Sequence, residues 1–199
     1  YQQDIYNYMP FDESDDLKIR QLHSEGLGIR SISRILGYSP ATIIRRILRL
    51  RALITKPIYH QNNQTYEVDE LWTFVGKKHP ANYYWVIYAI NQKTYEIIDV
   101  VIGLRNKKNL KQVIDVVKLQ NPKKIITDKL ITYPKLILPI KYNTNQYANT
   151  RIERINLTLR THLKRLNRRT ICFSKSIKML EASIVLYFDA RDWKLKIEK

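Results

Sequence analysis

A single apolar stripe dominates the C-terminal part of this 199-residue chain. Its five members recur at intervals of three or four residues: Ile152, Ile155, Leu159, Leu163 and Leu166. This spacing predicts a helix over 150–166 with one buried side. Glu153 falls on the opposite side and is the only acidic residue between Asp128 and Glu181. No basic residue lies three or four positions from Glu153, so a helical ion pair does not explain it. A solvated surface acid is one interpretation, and a metal ligand is the other.

Two upstream acids favour the metal ligand. Asp69 lies within an apolar segment at 68–75 that has strand character, and Asp128 directly follows another at 125–127. A carboxylate at the end of a buried strand must be solvated, paired or bound to a metal. Hard cations such as Mg²⁺ prefer carboxylate oxygens, and two such ions about 4 Å apart can activate an attacking oxygen and stabilise a leaving one. The residue types fit this chemistry, although three scattered carboxylates do not establish it. Glu70, whose side chain alternates to the other face of its strand, is the weaker ligand candidate.

Two sequence blocks carry a resemblance to a known family. The block EVDELWTFVGKK at 67–78 resembles the first catalytic block of bacterial insertion-sequence transposases. The longer block at 151–176, which opens with RIERINLTLR and ends with FSKS, closely resembles the C-terminal signature of the insertion-sequence-one transposase family. The resemblance implies an RNase H-like catalytic domain with a DDE triad. That triad falls on Asp69, Asp128 and Glu153, as catalytic residues and as ligands of Mg²⁺, for which Mn²⁺ can substitute.

The reaction that the family implies is strand cleavage at a transposon end, followed by attack of the released 3′-hydroxyl on target DNA. Relatives usually have Gly after the second catalytic Asp, where this chain has Lys129, and a cysteine zinc ribbon, whereas the only cysteine here is Cys172. Two alternatives therefore stay open: a catalytically inactive or domesticated DNA-binding protein, and a different RNase H-like nuclease. The C-terminal block favours the transposase over the nuclease.

The charge of the chain indicates a polyanionic partner. The formal net charge is +17, and the first sixteen residues contain five acids and no Lys or Arg. Such a field attracts nucleic acid with a steep dependence on salt. No apolar run is long enough to span a membrane. We expect double-stranded DNA as the partner, both element ends and target, bound by a homo-oligomer in the bacterial cytoplasm at the nucleoid. Cys172, between two apolar residues, is expected to be packed.

The predicted fold class is α/β, with an N-terminal helix-turn-helix domain followed by an RNase H-like domain in which helices cover a mixed sheet. The predicted boundaries are an acidic segment at 1–16, the helix-turn-helix domain at 17–55, a linker at 56–65 and the catalytic domain at 66–199. His60 and His79 are expected to be solvated loop residues.

Helices are predicted in the N-terminal domain at 16–25, 29–36 and 40–53, the last capped by Ser39 with Pro40 in its first position. The predicted order in the catalytic domain is strands at 66–76, 83–91 and 95–102, a helix at 107–119, a strand at 124–127, and helices at 132–138, 150–166 and 176–189.

DNA contacts are predicted for two groups of residues, on the third helix and in the C-terminal block. They are Thr42, Arg45, Arg46 and Arg49, and Arg151, Arg154, Arg160, Lys164, Arg168 and Arg169. For the second group, simple solvent exposure is an equally good interpretation.

Overall fold

The computed structural model describes residues 13–55, 62–144 and 150–197. Most of the predicted acidic segment 1–16 lies outside this part of the chain, as does most of the predicted linker with His60. Within the described residues, no helix has both the length and the apolar character needed to cross a membrane. His79 is exposed, and its Nδ1 accepts a hydrogen bond from the backbone of Ala81, so it serves as a local cap.

The N-terminal part consists of three helices close to the predicted ranges: α1 (Glu13–Ser24), α2 (Ile29–Leu36) and α3 (Pro40–Leu53). Gly37 ends α2 with φ of 73°, a left-handed conformation that glycine adopts without strain. The Ser39 hydroxyl accepts a hydrogen bond from the backbone N–H of Thr42 at 3.1 Å, which confirms the predicted cap. The turn between α2 and α3 is therefore set by local residues.

The described part of the remainder forms a five-stranded mixed sheet with four α-helices. In chain order the elements are β1 (Thr65–Phe74), β2 (Tyr83–Asn91), β3 (Ile97–Gly103), α4 (Lys107–Leu119), β4 (Lys124–Ile126), α5 (Thr132–Ile137), β5 (Tyr142–Asn143), α6 (Thr150–His162) and α7 (Ile177–Ile197). The spatial order is β3-β2-β1-β4-β5. The first three strands are antiparallel, whereas β4 runs parallel to β1 and β5 parallel to β4. The central strand is therefore β1, which carries Asp69.

Helices cover both faces of the sheet. On one face, α6 and α7 pack against alternate residues of β1 and β2, and all five members of the predicted stripe are buried there. On the other face, α4 and α5 pack against a second cluster that includes Tyr66 and Val68 of β1. This arrangement explains why successive residues of β1 contact different helices.

A third cluster joins the N-terminal helices to the C-terminal helix. Met179, Ala182 and Leu186 of α7 are buried against apolar residues of α1, α2 and α3, including Ile19 and Ile47. The predicted helix-turn-helix unit thus shares its core with α7. Amphipathic spacing identifies an apolar face, but not the distant element that covers it.

Several predicted boundaries are wrong for identifiable reasons. The first strand begins at Thr65, inside the predicted linker. Tyr95 has φ of 62°, so it belongs to a turn and β3 starts only at Ile97. The helix α6 ends at His162, and a 3-10 turn at Lys164–Leu166 continues the buried stripe. The two-residue β5 was not predicted, because so short a strand has no periodicity.

Two further expectations fail near the C-terminus. The helix α7 runs to Ile197, beyond the predicted end at 189. Cys172 is exposed rather than packed, and the neighbouring Ile171 is 93% exposed. Their apolar character gave the wrong prediction because this segment passes over the surface after the 3-10 turn, with no element above it in the described structure.

Candidate active site

Asp69 lies in the middle of the central strand and faces α6. Its Oδ2 accepts a hydrogen bond of 2.6 Å from the side-chain amide of Asn156, and its Oδ1 accepts one of 2.8 Å from the backbone N–H of Glu70. Burial raises the pKa of Asp69 above its usual range, and the nearby charges of Asp128 and Glu153 act in the same direction against these hydrogen bonds. A positive charge placed here would relieve the repulsion.

Asp128 follows the neighbouring strand β4 and lies beside Asp69. It lies two residues after Ile126, which pairs with Glu67 across the parallel β1–β4 ladder. The same two-residue step along β1 leads from Glu67 to Asp69, so the two aspartates lie side by side. The backbone N–H of Leu130 donates to Asp128 Oδ1 at 3.0 Å, which fixes the carboxylate at the end of β4.

Glu70 completes a tight carboxylate cluster. Its side chain is 2% exposed and points to the face of the sheet opposite Asp69, where Tyr133 of α5 donates a hydrogen bond to it. Carboxylate oxygens of Asp69, Glu70 and Asp128 nevertheless lie within 4.8 Å of one another. This spacing is about twice a metal–oxygen distance, so one divalent cation could contact all three residues. Asp69 contacts α6 and Glu70 contacts α5, as alternation along β1 predicts, yet this alternation does not separate the Glu70 carboxylate from the cluster.

Glu153 lies outside this cluster but near it. It is an exposed residue of α6, one helical turn before Asn156, whose amide contacts Asp69. Its charge contributes to the raised pKa of Asp69. The structure therefore brings Asp69 and Asp128 together, adds Glu70 to them, and places Glu153 on the helix that covers Asp69. The positions three and four residues from Glu153 carry no basic side chain.

A network that sequence analysis missed fixes α6 against β1. Glu67 is fully buried; one of its oxygens accepts from the backbone N–H of Ile152 at 2.9 Å and the other from Gln92 at 2.8 Å. Tyr88, which pairs with Asp69 across the β1–β2 ladder, donates to the Asn156 side chain at 2.8 Å. Glu67 lies two residues before Asp69 on β1. Because alternate residues of a strand share a face, this spacing predicts both acids on the face that α6 covers.

Comparison with known proteins identifies the chain. The family described as IS1 transposase matches residues 64–194, which is most of the sequence and includes all of these acidic residues. The chain belongs to the IS1 transposase family. It is 36% identical over 123 residues to the insertion element iso-IS1n protein InsB of Shigella dysenteriae, an alignment that spans 62% of this chain and 92% of that protein. The insertion element IS1 protein InsB of Shigella flexneri is 28% identical over 127 residues, which cover 64% of this chain and 95% of the relative.

This transposase is an enzyme of DNA strand cleavage and strand transfer, as the sequence resemblance predicted. Among solved structures, the HTLV-2 integrase catalytic core domain in complex with magnesium aligns with a TM-score of 0.44 and 14% sequence identity, over 64% of this chain and 84% of that one.

The predicted basic residues of the C-terminal block differ in exposure. Arg154, Lys164, Arg168 and Arg169 are exposed. Arg151 stacks on the ring of Tyr95 at 5.4 Å. Arg160 donates to the backbone carbonyls of Leu166 at 2.6 Å and Trp72 at 3.3 Å, and burial lowers its pKa, with Arg168 adding to the effect. In this position Arg160 anchors the end of α6 to β1.

The helix α3 presents part of its predicted DNA-contact set to solvent. Arg45 and Arg49 are exposed, and Thr42 is half-buried next to the Ser39 hydroxyl. Arg46 is 7% exposed, stacks on Tyr38 and forms ion pairs with Asp15 and Asp16 of α1. Arg46 therefore contacts α1 and Tyr38 whereas Arg45 and Arg49 face solvent, and its predicted DNA contact stays a prediction. The number of arginines on α3 does not show which of them are exposed and which are buried.

Proposed function

We propose that the transposase cleaves and joins DNA at a site built on Asp69, Asp128 and Glu153 in an RNase H-like domain. The observation that carries this proposal is the convergence of carboxylates from two neighbouring strands next to the helix that bears Glu153. The strand order, with three antiparallel strands followed by a helix and a parallel strand, supports the domain assignment.

The three acids would hold Mg²⁺, with Mn²⁺ as a substitute. Their chemistry fits this ion, because hard divalent cations take carboxylate oxygens, and the charges of Asp128 and Glu153 both add to the raised pKa of buried Asp69. Bound Mg²⁺ supplies charge stabilisation for the entering and leaving oxygens of an in-line displacement at phosphorus. Glu70 is the competing third ligand, since its carboxylate is part of the tight cluster.

The chain's own residues would align the reaction. Asn156 holds the Asp69 carboxylate, and Glu67 holds the start of α6, so that Glu153 and Asp69 keep a fixed spacing. In the first step water would attack the phosphorus of a phosphodiester at the element end, and the P–O3′ bond would break to leave a 3′-hydroxyl and a 5′-phosphate. In the second step that hydroxyl would attack a target phosphorus in line, and the target's own 3′-oxygen would leave. No covalent bond to the protein forms.

The roles of Glu153 and Glu70 are separated by charge-neutral substitutions. Glu153→Gln should abolish strand cleavage of end-bound DNA while end binding is retained, because the loss lies in catalysis and not in recognition. Asp115→Asn, a half-exposed acid of α4 that pairs with Lys111 away from the cluster, is the matched control and should cleave normally. Full activity of Glu153→Gln, with loss of activity in Glu70→Gln, would replace Glu153 by Glu70 as the third ligand. A wild-type protein that binds DNA but never cleaves it with Mg²⁺ would be an inactive DNA-binding protein.

We further propose that the N-terminal helices form a helix-turn-helix unit that binds element ends, with α3 facing DNA. The tight turn at Gly37, the capped start of α3 and the exposed Arg45 and Arg49 support this role. Exposed Arg154, Lys164, Arg168 and Arg169 would contact the phosphate backbone near the cleavage site. The protein would act as a homo-oligomer on DNA in the bacterial cytoplasm, and its net charge of +17 predicts binding that weakens steeply with salt.

A further inference from the structure

Arg105 lies at the mouth of the carboxylate cluster, in the loop between β3 and α4. Its Nη2 is 2.9 Å from Glu70 Oε2 and 3.1 Å from Asp128 Oδ2. A single guanidinium nitrogen therefore bridges two of the three clustered acids. Neither the apolar spacing nor the transposase signature singles out this residue.

Exposure distinguishes the two sides of this ion pair. The Glu70 side chain is 2% exposed, whereas the Arg105 side chain is 35% exposed. A buried carboxylate is costly without a cationic partner or several donors, and among the described residues Tyr133 also donates to Glu70. Arg105 is long and partly solvated, so it can withdraw into water while Glu70 stays in place.

We propose that Arg105 is an internal counter-ion that occupies the cation position between Glu70 and Asp128 and is displaced when a divalent cation binds the cluster. This inference rests on the metal site of the proposed function. Asp128 is a proposed ligand, and the oxygen that Arg105 contacts belongs to its carboxylate, so the guanidinium and the metal ion would compete for the same group. Two positive groups so close repel each other, and the divalent ion has the higher charge density.

After displacement from the carboxylates, the Arg105 side chain would be free to contact DNA. The residue precedes Asn106, which caps the start of α4, so its backbone remains fixed while the side chain moves. A guanidinium released at the mouth of the site can form paired hydrogen bonds with a phosphate of the bound DNA. Arg105 thus neutralises Glu70 and Asp128 until a cation binds and then contacts the substrate near the reacting phosphodiester.

The test is a calorimetric titration of the full chain, without DNA, using MnCl₂ at constant ionic strength. The variants are Arg105→Ala and Arg105→Gln, since Gln keeps a donor for Glu70 without the charge. Lys108→Ala, an exposed cation at the start of α4, is the matched control. We expect both Arg105 variants to bind Mn²⁺ about tenfold more tightly than the control, on the scale of one charge-assisted ion pair.

Each outcome has a separate meaning. Unchanged or weaker Mn²⁺ binding in both folded Arg105 variants, when the wild type binds, overturns the role of Arg105 alone. Absence of saturable binding in the wild type and in both variants overturns the metal site of the proposed function. At saturating Mn²⁺ we expect Arg105→Gln to cleave DNA more slowly than Lys108→Ala, and an equal rate would overturn the DNA contact of Arg105.

Discussion

Adjacent residues of β1 in this transposase contact different helices, because their side chains lie on opposite faces of the sheet. Asp69 and Glu70 are neighbours in β1, yet Asp69 is held by Asn156 of α6 and Glu70 by Tyr133 of α5. Burial raises the pKa of both carboxyl groups, and Asp128 raises each of them further. Both groups therefore lose their protons at higher pH than in the unfolded chain.

The raised pKa values predict a coupling between metal and stability. Mg²⁺ should raise the melting temperature, because the cation relieves repulsion among carboxylates that exists only in the folded protein. Asp128→Asn should abolish this gain. The measurement is a thermal melt with and without MgCl₂ at matched ionic strength, and Asp115→Asn should behave as the wild type does. An equal metal-dependent gain in Asp128→Asn would contradict the assignment of Asp128 as a ligand.

His23 predicts a separate dependence of stability on pH. Burial, with a smaller effect of Arg165, lowers the pKa of His23 from 6.5 to about 4. Because the folded value lies below the unfolded one, the unfolded chain binds the extra proton between these pH values. The contribution of neutral His23 to the free energy of unfolding is therefore fully present above pH 6.5. It decreases as the pH falls towards 4, by up to roughly 3 kcal/mol.

Urea unfolding at pH 7 and pH 4.5 provides the measurement for His23. His23→Gln should lose less of its unfolding free energy over this interval than the wild type, because Gln does not titrate. The same decrease in both proteins would assign the effect to other groups.

At the scale of elements, α6 is held in place by side chains of β1 and β2. Glu67 accepts the N–H of Ile152 near the start of the helix, and the favourable interaction of a carboxylate with a helix N-terminus adds to that hydrogen bond. Tyr88 and Asn156 attach the next turn to Asp69. The spacing of Glu153 from Asp69 therefore depends on residues that do not themselves carry out the reaction.

Glu67→Ala should destabilise the protein by about 1–3 kcal/mol, because it leaves the buried N–H of Ile152 without an acceptor. Glu67→Gln keeps an acceptor oxygen and should cost less. Amide hydrogen exchange of Ile152, measured together with urea unfolding, checks both variants. The positioning role additionally predicts that folded Glu67→Ala needs more Mg²⁺ for half-maximal cleavage, whereas a purely structural role leaves that concentration unchanged.

The helix α3 carries arginines of two kinds. Arg45→Ala combined with Arg49→Ala should weaken end binding and make it less dependent on salt, since phosphate contacts release counterions. Arg46→Ala should instead lower the unfolding free energy, because its ion pairs with Asp15 and Asp16 are largely buried. Fluorescence anisotropy with end DNA and urea unfolding separate the two effects. A stable Arg46→Ala protein that no longer binds end DNA would confirm Arg46 as a DNA contact.

The helix α7 links the two predicted domains. It contributes Leu180 and Ile184 to the cluster beneath α6, and Met179, Ala182 and Leu186 to the cluster beneath the N-terminal helices. Ion pairs of Arg51 with Glu181 and of Arg20 with Asp189 cross the same contact. The N-terminal helices are therefore held in a defined orientation relative to the catalytic sheet.

Leu186→Ala should destabilise the protein by about 2–5 kcal/mol, the usual cost of truncating a fully buried leucine. The shared core also predicts a single cooperative unfolding transition, and a segment 13–55 expressed alone should be poorly folded, because it lacks its α7 partners. Circular dichroism melts of both proteins check this. A well-folded isolated segment that binds DNA would establish an independent domain.

The sequence alone predicts those features that depend only on neighbouring residues. The cap at Ser39, the turn at Gly37 and the range of α4 follow from residues a few positions apart, so they were predicted within a residue or two. The burial of Ile152, Ile155 and Leu159 followed from helical spacing in the same way. The family, and with it the activity, was also identifiable from sequence, since the signature is a contiguous block.

Tertiary structure decided which residues meet. The position of Glu70 in the carboxylate cluster, the bridge formed by Arg105 and the burial of Arg46 all depend on partners that lie tens of residues away or on other elements. Periodicity identifies the side of an element that avoids water, but a charged side chain looks the same in sequence whether it faces solvent, an opposite charge or a metal. The environment that distinguishes these cases exists only after the strands have paired and the helices have packed on them.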